Sequence, residues 1–319
     1  MSLKKKKQKG KIKKILFNSI PIIIIVGALF FYFYPPSFWL ANHLKSTPIK
    51  RFPVTKHQTK DEKKETNAPN YGNESQLEPT TENLWKASQA DYIASGGVFI
   101  PSAEIRLPIY HGIGYYTMLK GAGEQYPEDI VKVGEAGNYV IASHLTPYQG
   151  YLFTDLDKVQ QGQDVYLVGS NTNLIYRYQI DWKETFDPQH SQSIQQEEAK
   201  ETVEQINETK IVDLKSLGVS SVKVGDTISK TTKDFQPETG SEIETSTSLT
   251  VKSVDSDKIT ILEEGTKKTK QCICTLYTCT DTYSTHRLVV RGHLVEEIPA
   301  EKASAELKEA YSGWFSGTF

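Results

Sequence analysis

Apolar and polar positions change their rhythm several times along the chain. Residues 15–34 form a run of twenty without a charge, all Ile or Val over 22–26 and closing on Phe30, Phe31, Tyr32, Phe33 and Tyr34. At helical rise such a run spans about 30 Å, the thickness of bilayer hydrocarbon, so it predicts a membrane-spanning helix. Tyr32, Tyr34 and Trp39 suit its far interface. A cleaved leader shares the basic start and apolar run. Its core is normally shorter, however, and no small-x-small site follows Tyr34, so an uncleaved anchor is expected. Residues 35–95 are polar and proline-punctuated, with neither a period of 2 nor of 3.6, and predict a disordered stalk.

From residue 96 onward short apolar runs alternate with glycine and proline. Residues 98–101, 105–110, 138–143, 164–168, 174–180, 249–254, 258–262, 271–279 and 287–294 read as strands. Some eight short strands predict an all-β antiparallel sandwich or barrel with short helices. Glycines at 112, 114, 121, 123, 134 and 137 predict loops after the second run. Phe153, Leu156 and Val159, spaced by three and followed by Gly162, predict one or two helical turns. Ala303, Leu307, Tyr311 and Trp314 have helical spacing and predict a tail packed on the strands. Residues 181–248 break the pattern, and 181–250 hold fourteen acids against seven lysines. An acidic insertion is expected there, with a polar helix over 194–210; its length marks it as functional or accessory.

Charge sharpens this picture. The formal net charge is −2 and residues 1–14 hold eight lysines and no acid, so residues 15–319 carry −10. An acidic folded part argues against nucleic-acid binding. A lysine block ahead of an apolar run orients it with residues 1–14 in the cytoplasm and everything after the span outside. Three cysteines are too few for a disulfide scaffold. Cys272 and Cys274 share one face of a strand, and Cys279 takes the other.

Cys279 ends its strand and meets the polar residues Thr280, Asp281 and Thr282, which makes it accessible; Cys272 and Cys274 are expected to be buried and inert. His144 ends an apolar strand where the chain enters a loop. Arg287 opens the last strand, eight residues after Cys279. Each alone is an ordinary core or surface residue, but adjacent antiparallel strands would bring Cys279 and Arg287 together across the ladder. A thiolate needs a base, and a developing oxyanion needs a cation or an N–H. His43 and His57 lie in the stalk, His190 in the insertion and His111 in a glycine loop. His286 and His293 are fallback bases, and His144 fits best.

The sequence Thr275-Leu276-Tyr277-Thr278-Cys279, with Arg287 eight beyond, resembles the T-L-x-T-C…R signature of sortases. Residues 138–144, then 152–156 and 162–166, resemble their catalytic-histidine segment, and residues 98–101 with 107–112 their opening strands. The resemblance covers 96–180 and 249–295, with several motifs in the right order. Ala142-Ser143-His144 is similar to the streptococcal-type housekeeping form. The departure is 181–248, where relatives have a shorter connection near the substrate groove.

The resemblance implies a class A sortase of Gram-positive type: an eight-stranded β-barrel over residues 96–319, preceded by stalk and anchor. Cys279 would attack the Thr–Gly carbonyl of an LPxTG-type sorting signal on surface proteins. His144 would shuttle the proton, Arg287 would hold the oxyanion or substrate carbonyl, and Thr278 would line the substrate site. The acyl group would pass to a cell-wall precursor amine of lipid II type. No cofactor or metal is called for, with calcium dependence left open. Pilin-polymerising sortases are a rival, although no Asp-Pro-aromatic lid motif precedes Gly96. A membrane-anchored cysteine peptidase and a non-catalytic surface binding domain are the readings from other classes.

Overall fold

The computed structural model describes residues 21–32, 36, 38–40, 80–89, 94–114, 116–125, 131–169, 173–187, 199–256, 258–280 and 286–315. The basic tail, the first part of the expected span and most of the expected stalk lie outside these residues. Residues 21–32 are helical and expose Ile22 to Val26 and Leu29 to Tyr32. Among the described residues no helix is long and apolar enough to cross a membrane.

The expected stalk is not without structure throughout. Helix α1 (Thr81–Gln89) lies within it and buries Leu84 and Ala87 completely in the main core. That correction has a simple cause: Leu84 and Ala87, three apart, share one face of the helix, and a single apolar pair gives too weak a period to stand out.

Among the described residues eleven strands follow: β1 (Ala94–Ile100), β2 (Ile105–His111), β3 (Ala122–Gln125), β4 (Gly137–Ala142), β5 (Asp164–Gly169), β6 (Leu174–Phe186), β7 (Glu201–Asp213), β8 (Thr227–Gln236), β9 (Ser241–Asp255), β10 (Lys258–Cys279) and β11 (Arg287–Pro299). The order β11-β6-β5-β1-β2-β3-β4-β10, with a further pairing of β11 to β10, closes eight of them into a ring. The ring is not wholly antiparallel, because β4 runs parallel to β10 and β2 parallel to β3. Its interior is lined by alternate residues such as Val98, Ile100, Ile109, Tyr139, Ile141, Leu167, Tyr178, Cys272, Cys274, Leu276 and Val290. Strand β3 occupies the glycine-rich stretch that reads as loop. There Gly121 and Gly123 lie so close to the backbone carbonyls of Pro108 and Gly112 that a Cβ would stand 2.3 and 2.4 Å from them.

The two runs at 258–262 and 271–279 are one strand. Strand β10 pairs with β7 and β9 over its first part, Lys258 to Lys270, and with β4 and β11 from Cys272 onward. At about 3.3 Å per residue its 22 residues run about 70 Å from end to end. The first part belongs to an arm of four strands in the order β7-β10-β9-β8. The arm therefore leaves the ring at the end of β10 remote from Cys279, and not beside that residue.

The polar helix expected over 194–210 is absent from the described part; residues 201–210 belong to β7. Thr202, Val203, Ile206, Thr209, Ile211 and Val212 are β-branched and favour a strand, and β10 offers a ladder along the whole of β7. At the arm's tip Val251, Ile259 and Ile261 make a small core under Val212, Leu214, Leu217, Val222 and Leu249. The carboxy-terminal tail packs as its spacing predicts. Helix α3 (Ala305–Ala310; α2 is Thr117–Lys120) is capped by Ser304, whose Oγ accepts from the Leu307 N–H. Leu307, Tyr311, Trp314 and Phe315 then bury against Ala94, Tyr110, Val168 and Ile175.

Candidate active site

Strand β10 sits between β4 and β11, and its carboxy-terminal end collects the expected residues. Cys279 is the register partner of Arg287 across the β10–β11 ladder, with Thr278 opposite Leu288 and Tyr277 opposite Val289. On the other side, Tyr277 stands beside Ala142, and the Ser143 N–H carries the ladder one rung further by donating to the Tyr277 carbonyl at 3.3 Å. His144 is the next residue. The thiol thus ends a central strand with the imidazole's segment on one flank and the guanidinium's on the other.

Alternation fixes the faces. Val140, Ala142, Tyr277 and Val289 pack together in one cluster with Trp182 and Phe186, outside the ring. Cys279 and Arg287 continue that face on β10 and β11, and the alternation of β4 carries to His144. Cys272, Cys274 and Leu276 point into the ring instead. The expectation about the cysteines holds: Cys272 and Cys274 are fully buried and Cys279 is partly exposed. Burial pushes the Cys272 thiol up to about 12 and the Cys274 thiol higher still. Neither forms a thiolate at neutral pH.

His144 is held through its backbone. Its carbonyl accepts from the Phe153 N–H at 3.2 Å, and the neighbouring Ser143 Oγ donates to the Gly121 carbonyl at 2.7 Å. Phe153 is fully buried, and Thr146 and Thr154 bridge the loop between them through their hydroxyls at 2.9 Å. The ring keeps some exposed surface, but Nε2 is enclosed and has no hydrogen-bond partner among the described residues. Burial of the ring pulls its pKa down to about 4, so the imidazole rests neutral. Thr278 is also buried, and its Oγ1 has no hydrogen-bond partner among the described residues. Enclosed polar atoms without partners are uncommon in folded proteins, and both of these lie on the segments that meet at the end of β10.

Burial lowers the pKa of Arg287, which nonetheless stays charged. Its Nη1 donates to the His286 carbonyl at 3.3 Å, and that same carbonyl accepts from the Thr280 N–H at 3.2 Å. Residues 281–285, between thiol and guanidinium, lie outside the described residues. Of the fallback bases, His293 is placed opposite Ile273, near the other end of the ring part of β10, with its Nδ1 2.6 Å from Asp181 Oδ1. His286 precedes Arg287 on the loop side.

Two polar arrangements escape a reading of the sequence. Asn138 Oδ1 accepts from Thr275 Oγ1 at 2.8 Å, Thr275 Oγ1 accepts from Arg291 Nε at 3.2 Å, and the Arg291 guanidinium lies 5.2 Å from the Trp182 ring centre. This string ties β4, β10, β11 and β6 together on the same face as Cys279. Separately, the buried Glu124 accepts from the Tyr139 hydroxyl at 2.7 Å and lies 2.6 Å from His111 Nδ1, joining β2, β3 and β4. A charged residue within a glycine-rich stretch was the signal for the latter. Ser143, polar at the end of a buried run, was the signal for the anchor beneath His144. Among the described residues no cluster of three or more His, Cys, Asp or Glu side chains is arranged to hold a metal ion.

Residues 98–210 match the profile of the Sortase domain, from β1 through the His144 segment and into β7. The sortase A of Streptococcus agalactiae serotype III (strain NEM316) is 28% identical over 197 residues, 60% of this chain and 76% of that protein. Among solved structures, the sortase A of Listeria monocytogenes is 19% identical, covering 69% of this chain and 97% of that one, with a TM-score of 0.39. The sortase A of Corynebacterium diphtheriae is 18% identical, covering 82% of this chain and 83% of that one, at 0.37. The sequence matches, rather than these superpositions, carry the assignment. A profile that takes in the strands flanking His144, and a relative aligned over a longer stretch, support a sortase-type enzyme, a cysteine transpeptidase.

Proposed function

We infer that this chain is a housekeeping, streptococcal-type class A sortase, with Cys279, His144 and Arg287 as its catalytic residues and Thr278 at the substrate. The carrying observation is the placement of Cys279: register partner of Arg287 on one side, one rung beyond the Ser143–Tyr277 bond that leads to His144 on the other. The substrate is an LPxTG-type sorting signal. The Cys279 sulfur attacks the Thr carbonyl and gives up its proton to His144, whose depressed pKa keeps it neutral and able to accept. The S–C bond forms and the developing oxyanion faces Arg287. His144 returns the proton to the leaving glycine nitrogen as the C–N bond breaks. The enclosed Thr278 hydroxyl gives the peptide a donor or acceptor beside the thioester. An incoming amine, from a cell-wall precursor of lipid II type, then loses its proton to His144, attacks the thioester and releases the thiol.

The same reading places the catalytic domain outside the cell on a single-pass anchor, with the lysine-rich amino terminus in the cytoplasm. The apolar residues exposed along helix 21–32 support an anchor that continues into residues 15–20. Incubating the full chain in detergent with an LPxTG peptide, with and without an added amine, tests the chemistry. Peptide–amine conjugate formed at the expense of hydrolysed product supports a transpeptidase on this signal. Cleavage with an unchanged hydrolysed product at any amine concentration makes it a peptidase.

A further inference from the structure

Strand β7 is an open edge of the arm. Among the described residues it pairs with β10 alone, along thirteen rungs without a bulge, and it contains no proline. Nearly every residue along it is exposed. Long, regular edges of this kind are templates for another strand, and soluble proteins usually blunt them. Both edges of the arm carry charges, Lys230, Lys233 and Asp234 on β8 and Glu201, Glu204, Glu208, Lys210 and Asp213 on β7. Strand β7 differs in adding two large exposed apolar side chains on one face, Val203 at 50% and Ile211 at 73% relative exposure.

The sequence of β7 is largely complementary to itself when reversed about Asn207, the exception within the strand being Ile206 opposite Glu208. In that antiparallel register Val203 of one copy lies opposite Ile211 of the other, and Glu204 lies opposite Lys210, each twice by symmetry. Gln205 faces Thr209, and Asn207 faces Asn207 on the two-fold axis. Directly opposed apolar and opposite-charge pairs each contribute about 0.2–1 kcal/mol in antiparallel sheets. Glu201 opposite Asp213 is the one like-charged match. It falls at the strand ends, where Lys270 lies 3.8 Å from Glu201 and Lys258 lies 2.6 Å from Asp213. Both acids are already matched by a lysine of their own chain.

We propose that two copies of this chain associate through β7, pairing antiparallel about Asn207 to join their arms into one continuous eight-stranded sheet. The contact is isologous and closes on itself, so it yields a dimer and not a filament. Glu264, the β10 partner of Asn207, is fifteen residues along the strand from Cys279, about 50 Å at strand rise, so pairing there leaves both thiols open to substrate. The proposal does not depend on which sorting signal or amine the enzyme uses.

The test is disulfide trapping with the full chain in detergent micelles, in a Cys279→Ala background that removes the exposed native thiol. Asn207→Cys places two thiols across the axis, within reach of a disulfide. Gln205→Cys places them four rungs apart, about 13 Å, beyond that reach. With a diazene thiol oxidant, which takes up the two hydrogens, the 207 variant is expected to form a covalent dimer and the 205 variant to remain monomeric. Adding Val203→Lys and Ile211→Lys, both at exposed positions, should abolish the 207 cross-link. Association through the apolar amino-terminal segment alone would trap both positions equally. Equal trapping, trapping at 205 only, no trapping, or a 207 cross-link that survives the two lysines overturns the proposal.

Discussion

Cys279 and Arg287 are direct register partners on neighbouring antiparallel strands, separated in sequence by a loop and in space by a single rung. The guanidinium is therefore positioned by the ladder itself, since a slip by one residue would send it to the opposite face. Replacing Arg287 by Lys keeps the charge but removes the oriented fork of donors. Loss of an oxyanion donor costs about 3–4 kcal/mol in the barrier, whereas a surface ion pair is worth about 0–1 kcal/mol in stability. We expect Arg287→Lys to lower turnover strongly with an almost unchanged melting temperature. Parent-level turnover in both Arg287→Lys and Arg287→Ala would remove Arg287 from the site.

The cysteines differ in the property their substitution should disturb. Cys279→Ala is expected to abolish transpeptidation and leave the fold intact, because its side chain is partly exposed at a strand end. Cys272→Ala and Cys274→Ala delete a buried sulfur from the packed ring interior, and are expected to lower stability by about 1 kcal/mol while keeping activity. Chemical denaturation and an amine-transfer assay on the three variants read both effects. Activity lost at Cys272 or Cys274 with the fold intact would move the nucleophile.

His144 carries a pH signature. An ordinary imidazole titrates near 6.5, but burial holds this one down to about 4. Between those values the unfolded chain binds a proton that the folded chain refuses. Stability therefore falls as pH drops through that window and levels off above it. The gap corresponds to roughly 3 kcal/mol. His144→Ala should flatten this dependence and also cut the rate by about 10²–10⁴-fold, as loss of a general acid–base does. His286→Ala and His293→Ala should cost far less rate. Urea unfolding of parent and variant at pH about 4.5 and about 7.5 makes the comparison. An identical slope in both proteins would mean that His144 is not the buried neutral group.

His111 has the opposite sign. The hydrogen bond with Glu124 raises its pKa, against a smaller desolvation cost and with added attraction from the carboxylate. Its stabilising contribution is fully present below the unfolded value of 6.5 and is lost as pH rises through the folded value. Because His111 is half exposed, solvent screening keeps the effect small. His111→Ala should destabilise more in mildly acidic than in alkaline buffer, with Glu124 losing one of its two partners. A pH-independent difference in melting temperature would contradict the pairing.

What the sequence disclosed followed from residues whose neighbours enforce a single period. The strand before His144, the runs ending at Cys279 and opening at Arg287, and the tail with Leu307, Tyr311 and Trp314 all bury one clear face. The arm reads locally as helix because Glu201, Glu204, Glu208 and Lys210 have good helix propensity while its faces are mostly exposed. Its identity as strand comes from pairing with residues 45 to 69 positions later, which no local pattern contains. The continuity of β10 was hidden for the same reason, since Glu263, Glu264, Lys267, Lys268 and Lys270 interrupt the apolar signal between its two runs. Strand β3 is only four residues long and follows glycines, too short to show alternation. The pairing of Cys279 with Arg287 was legible from their strand-end positions, and the placement of the His144 segment follows from the parallel pairing of β4 with β10.

In the proposed mechanism the partly exposed thiol at the end of β10 takes up the acyl part of a sorting signal. Mass spectrometry of the full chain, quenched in acid during turnover of an LPxTG peptide without added amine, tests this most directly. The expected result is a chain heavier by the acyl fragment that ends at threonine, with the addition located on Cys279, lost on adding amine and absent from Cys279→Ala. Peptide cleavage with no adduct, or an adduct that persists in Cys279→Ala, would contradict it.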